Sequence, residues 1–226
     1  MFLFDWTFVL IIPALLLSLY AQFKVKNTFA KMSKINSASG MTGAQVAKSL
    51  LQRNNIHDVT VEQVQGTLVD HYDSRSKTLR LSPGVYGSSS LAALGVAAHE
   101  TGHAIQHNLS YAPLNWRQAI FPVANLGSKM GLPLFFIGFI LSMRPLIDFG
   151  ILFFAGAVLF YLVTLPVEFN ASNRALKVLR SGSYMTEEEV EGVRAVLTAA
   201  ALTYVAAAIS SLLQLLRLLL IANRRR

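Results

Sequence analysis

Four apolar runs, residues 2–21, 120–143, 149–167 and 195–221, constrain this chain more than anything else in it. At about 1.5 Å per residue, each is close to or beyond the length needed to cross a hydrocarbon layer about 30 Å thick. In such a layer the backbone must close its own hydrogen bonds, so each run is expected to be a helix. The composition agrees, with 53% hydrophobic and 14% charged residues and a mean hydropathy of +0.46, too apolar for a soluble domain of 226 residues. The expected class is a multi-pass α-helical membrane protein whose first partner is a lipid bilayer.

Phe2–Ala21 reads as an uncleaved first span. Asp5 stands where a signal peptide carries basic residues, and no small-residue cleavage site precedes Lys24, Lys26, Lys31 and Lys34. Asn125 and Lys129 interrupt the second run and are expected to face protein or the interface. Arg144–Asp148 is expected as a short turn that makes the second and third runs a hairpin. The fourth run is either a further span or a long membrane-associated helix.

Between the first two runs, from about residue 24 to 115, the composition is that of a globular segment. Met41–Arg53 has helical spacing with Thr42 near its cap. Short β-like runs follow at Val59–Val64, Thr67–Tyr72 and Thr78–Leu81, the last two joined by the polar loop Asp73–Lys77. Thr78–Leu81 leads through Ser82-Pro83-Gly84 to Ser88-Ser89-Ser90, an N-cap for a proline-free, alanine-rich helix over Leu91–Gln106. Such an arrangement would set an edge strand beside that helix, where it could hold an extended peptide through backbone hydrogen bonds.

That helix contains His99-Glu100-Thr101-Gly102-His103, which reads HExxH. A chance occurrence is expected roughly 0.003 times in a chain of this composition. Residues four apart share a helix face, so His99 and His103 can both reach one metal ion at about 2.0–2.1 Å. Glu100, rotated to the side, is placed to act as general base on a water at that ion. A third ligand is needed, and Glu168 is the candidate: it is the only acidic residue between Asp148 and Glu187, and it follows the third apolar run directly. Its plainer alternative is a carboxylate paired with Arg174 or solvated at the interface. Three protein ligands with an open fourth position is the catalytic zinc pattern, one ion per chain.

Two further histidines invite weighing. His107 continues the stripe, but the eight residues from His99 to His107 rise about 12 Å along one straight helix, so it is expected to pack beside the site instead of completing it. His71 and Tyr72 are candidates to stabilise an oxyanion, against the plainer reading of His71 as a solvated strand histidine. The acidic run Glu187–Glu189 reads as a helix start, with Thr186 and Glu189 forming a capping box.

No cysteine is present, so disulfides and thiolate ligands are excluded. The net charge of +8 does not indicate nucleic acid, because the cations flank apolar runs and no basic motif with interleaved aromatics occurs. Ten Lys and Arg fall between residues 24 and 117 and four between 174 and 194, against Arg144 in the hairpin turn. The positive-inside rule then puts the HExxH helix on the cytoplasmic face of the cell membrane, although a full fourth crossing would leave Arg224–Arg226 outside.

The motifs AAHETGHAIQH, DHYDSRSKTLRLS, PVANLGS and LPVEFNASNRAL, set among these apolar runs, closely resemble the bacterial YugP-like family of membrane-bound neutral zinc metallopeptidases over essentially the whole chain. The resemblance implies a membrane-embedded zinc endopeptidase of the gluzincin type with a small α+β, zincin-like catalytic domain. His99 and His103 would be ligands, Glu168 the third and Glu100 the catalytic acid/base. More distantly the chain is similar to HtpX- and CAAX-type proteases, whose third-ligand segment reads ExxxD; here Ser172 stands at the aspartate position, which puts the usual carboxylate partner of a ligand histidine in doubt.

The expected layout is an N-terminal transmembrane helix over 1–22, the catalytic domain over 23–118, a transmembrane hairpin over 119–167, a third-ligand helix over 168–185 and a C-terminal membrane helix over 186–226. The expected substrate is a polypeptide, membrane-associated or misfolded, because Glu168 abuts an apolar run. The rival reading is a non-proteolytic membrane scaffold or chaperone with a structural or vestigial zinc site. A zinc transporter is disfavoured because the ligands lie outside the apolar runs.

Overall fold

After a 3-10 turn at Trp6–Leu10, helix α1 runs over Ile11–Met32 and α2 over Gly43–Arg53; three short strands, β1 Thr60–Gln63, β2 His71–Asp73 and β3 Thr78–Leu81, follow. Then come the short α3 Pro83–Tyr86, α4 Leu91–Asn108, and three long helices, α5 Ala112–Ile140, α6 Arg144–Ser181 and α7 Glu187–Asn223. This computed structural model describes residues 6–182 and 184–223. Residues 2–5 of the first apolar run, and Arg224–Arg226, lie outside the described residues. Among the described residues four helices are long and apolar enough to cross a membrane: Trp6–Met32, Ala112–Ile140, Arg144–Ser181 and Glu187–Asn223.

The chain folds into two units. One comprises Phe23–Leu114 and Val167–Ala201 and contains the sheet and α4. Its sheet order is β1-β3-β2, with β1 parallel and β2 antiparallel to β3. Thr78–Leu81 is therefore the central strand, and the edge that meets α4 is β2. Of the expected Thr67–Tyr72 run only His71 and Tyr72 are strand, which continues to Asp73: Gly66 and Leu68 both have positive φ, which breaks the extended path before residue 71.

Helix α4 is the centre of this unit, and thirteen of its eighteen residues are buried. Leu94 and Ala98 face a cluster with Val46 and Leu50 of α2, Ala175 and Leu179 of α6, and Val193 of α7. Ala93 and Ala97 pack on Leu79 and Leu81 of the sheet, and Ala104 and Ile105 pack on Leu51 and Ile56. A helix apolar all round is stable only when enclosed in this way. Its N-cap is Ser90, whose Oγ accepts from the Ala93 amide, and Thr42 with Gln45 caps α2 in a full capping box. Thr186 and Glu189 form the expected box at α7, and Glu189 also accepts the Ala38 amide at 2.6 Å.

The other unit comprises Met1–Gln22, Asn115–Pro166 and Leu202–Arg226. Its core joins Phe135 of α5, Ile147, Phe154 and Val158 of α6, and Leu218 and Ala222 of α7. Helices α5 and α6 approach closely because Gly131 faces Phe154, where a Cβ would sit 3.0 Å from the Phe154 backbone nitrogen; small residues at such crossings let helices pack without a hydrophobic driving force. The Arg144–Asp148 segment is not a turn but the first turn of α6, stapled by an i,i+4 ion pair of 3.0 Å. The reversal is shorter, at residues 141–143, with Ser142 at φ 56°. Asn125 and Lys129, expected to face protein or the interface, are exposed.

Candidate metal centre

Helix α6 runs unbroken through Pro166 from Arg144 to Ser181, so Glu168 extends from the middle of a helix instead of starting one. Val167, Ala171, Ala175 and Leu179 of α6 are fully buried. Gly102, inside the HExxH motif, is what allows this face to come close: a Cβ there would lie 2.6 Å from the Ala171 carbonyl oxygen. The next residues round the same helix are Glu168, 2% exposed, and Ser172, one turn on.

This packing gathers His99, His103 and Glu168 into one group, their ligand atoms all within 4.8 Å of one another. Glu168 Oε2 lies 3.2 Å from His99 Nε2 and 3.7 Å from His103 Nε2. The edge of a tetrahedron with arms of about 2.0–2.1 Å is about 3.4 Å, so the two distances from Glu168 suit one zinc ion. The donor set, two imidazoles and a carboxylate, suits it too.

Each imidazole is held from behind. His99 Nδ1 lies 3.1 Å from Ser172 Oγ, and His103 Nδ1 lies 3.0 Å from Gln106 Oε1. With Nδ1–H donating to those oxygens, both Nε2 lone pairs face the shared point. Gln106 is wholly buried and donates through Nε2 to the Val167 carbonyl and to Asn170 Oδ1, which also accepts from Arg174 Nε at 2.7 Å. Arg174, the expected alternative partner of Glu168, is engaged with Asn170. The aspartate position of the ExxxD pattern is thus filled by a hydroxyl making the orienting contact, and Gln106, absent from the candidate set read from the sequence, does the same for the second histidine.

Burial raises the Glu100 carboxyl above the ordinary glutamate range, against the pull of the two histidines. Its Oε2 accepts the Tyr72 backbone amide at 3.0 Å, a bond available because β2 is an edge strand with that amide turned away from β3. Burial alone lowers the His103 imidazole; the Glu168 hydrogen bond and the Glu100 charge overcome it and hold the ring above the usual histidine range.

The remaining candidates lie apart from the three. The exposed His71 ring is flanked by the Val69 carbonyl, 2.8 Å from Nδ1, and by Arg80. The Tyr72 hydroxyl, pushed up to about 12 by burial, lies 2.8 Å from His107 Nδ1. His107 accordingly packs on β2 and is no part of the cluster.

The sequence profile of a family described as "Putative neutral zinc metallopeptidase" matches residues 7–223. A relative from Bacillus subtilis (strain 168), named "Putative membrane protease YugP", is 51% identical over 212 residues, covering 94% of each chain. No solved structure matches. A profile that spans nearly the whole chain, together with that identity, shows that this protein belongs to the YugP-like neutral zinc metallopeptidase family.

Proposed function

We propose that this protein is a membrane-embedded zinc endopeptidase, with His99, His103 and Glu168 holding one zinc ion and Glu100 moving the proton. The observation that carries the reading is the convergence of three ligand atoms from two helices beside a half-buried glutamate. Zinc bound there supplies Lewis acidity, polarising the scissile carbonyl and acidifying a water. The chain's own residues do the rest. Glu100 takes the proton from the attacking water and delivers it to the leaving amine. Its Oε2 is anchored by the Tyr72 amide, which leaves Oε1 for the proton. Ser172 and Gln106 keep both histidines in the tautomer that offers Nε2. The edge position of β2 beside the HExxH helix supports a zincin-like arrangement in which an extended peptide lies along that edge, with the Tyr72 amide itself held by Glu100. The apolar run of α6 leads straight into Glu168, which favours membrane-associated or misfolded polypeptides as substrates. The distribution of Lys and Arg supports a cytoplasmic face for the site.

Glu100→Gln, in detergent or bilayers, is expected to keep zinc at wild-type stoichiometry and to lower cleavage of an unstructured polypeptide by on the order of 10²-fold or more. Glu168→Ala is expected to lose zinc, read by elemental analysis. Full zinc retention in Glu168→Ala removes it as a ligand. Unchanged cleavage in Glu100→Gln removes the peptidase mechanism and returns the scaffold reading.

A further inference from the structure

The apolar runs of α1, α5, α6 and α7 contain two cations, Lys129 in α5 and Arg217 in α7. The protein treats them oppositely. Arg217 is buried, its Nε 3.3 Å from Thr7 Oγ1 and its guanidinium 4.2 Å from the centre of the Phe8 ring. Lys129 is exposed, and so is Asn125 one turn before it on the same face, with Gln118 two turns further back. At about 1.5 Å per residue, Lys129 lies about 14 Å from Ile120 and about 17 Å from Ile140. That is mid-depth in a layer about 30 Å thick, beyond what a lysine stem can escape by reaching to the surface. The backbone adds to the polarity: residue 133 is Pro, so the amide that would close the helical bond to the Lys129 carbonyl does not exist. In lipid an exposed ammonium, an exposed amide and a carbonyl stripped of its donor on one helix face are costly unless something polar covers them.

From this we infer that the Asn125–Lys129 face of α5 docks a foreign transmembrane polypeptide segment that carries an acidic side chain near its middle. The inference rests on the membrane reading above. Charge decides the occupant. The one acidic residue within the apolar runs is Asp5, three residues from the start of the first, so a second copy brings no carboxylate to mid-depth, and two copies joined through this face set ammonium against ammonium. A segment with a central carboxylate pairs with Lys129, and Asn125 offers it a donor and an acceptor.

The test uses full-length protein in lipid vesicles, in the Glu100→Gln background so that nothing is cut. A fluorescent 23-residue leucine-alanine transmembrane peptide with a central Asp is compared with the same peptide carrying Leu there, energy transfer being read from a single cysteine placed at Ser142. The expected result is at least tenfold tighter association of the Asp peptide, reduced to the Leu level by Lys129→Leu and weakened by Asn125→Leu. Equal association of both peptides, or unchanged preference in Lys129→Leu, overturns the docking. So does a wild-type dimer that Lys129→Leu converts to monomer, because the occupant is then a second copy. Protein that stays in alkaline-washed vesicles while the peptides bind equally overturns the docking alone, whereas protein washed out overturns the membrane reading with it.

Discussion

At the scale of single residues, the candidate centre depends on two neutral side chains behind its ligands. Ser172 and Gln106 each accept from an imidazole, where carboxylates are the common partners of zinc-bound histidines. A neutral acceptor fixes the ring but adds no negative charge to it. Gln106→Leu is therefore expected to weaken zinc binding by roughly 10–100-fold, the range for loss of such partners, and to do so more than Ser172→Ala, because it also releases the Val167 carbonyl and Asn170. Ser172→Asp, which restores the carboxylate, is expected to tighten zinc. Competition with a chelating dye measures all three, and equal affinities across the set would mean the rings are held by packing alone.

Two helices make the centre, and the element that brings them together is a glycine. The Cβ of Gly102→Ala would meet the Ala171 carbonyl at 2.6 Å, backbone against backbone, which a rotamer change cannot relieve. The expected cost is about 1–3 kcal/mol, typical of overpacking, with α6 displaced at Glu168. Thermal unfolding with and without zinc separates the two consequences: a lower midpoint with a shrunken zinc-induced shift is expected, and an unchanged zinc-induced shift would show that the α4–α6 approach does not control the ligand set. The elements themselves were largely legible beforehand. Caps at Thr42, Ser90 and Thr186 announce α2, α4 and α7, because these side chains satisfy local amides whatever the tertiary fold. The β2 region was less so, since the positive-φ positions at Gly66 and Leu68 leave no period in the sequence.

For the whole molecule, the absence of cysteine makes the proposed topology directly testable. Single cysteines replacing Ser76 in the β2–β3 loop and Ser142 in the α5–α6 reversal are expected to react from opposite sides of the bilayer. A membrane-impermeant maleimide added to intact cells should label Ser142→Cys and spare Ser76→Cys until the cells are opened. The reverse pattern would put the candidate centre outside.

Sequence alone determined the class of architecture, the helix that carries the motif, and the identity of the candidate ligands, because helical spacing, end-capping and the length of an apolar run act over one or two turns of chain. His99, Glu100 and His103 share a helix, so their relation needed no fold. Glu168 could be nominated by elimination, yet its place beside the histidines was decided only by the packing of α6 on α4 across Gly102 and Ala171. Gln106 stands three residues from His103 on α4, so that pairing is local, whereas tertiary packing put Ser172 behind His99, tied Gln106 to the Val167 carbonyl and turned the Tyr72 amide toward Glu100. Those contacts join residues 28 to 73 apart along the chain, and polar partners at such distance follow from which faces meet, a choice made by the burial of Leu94, Ala98, Ala175 and Leu179.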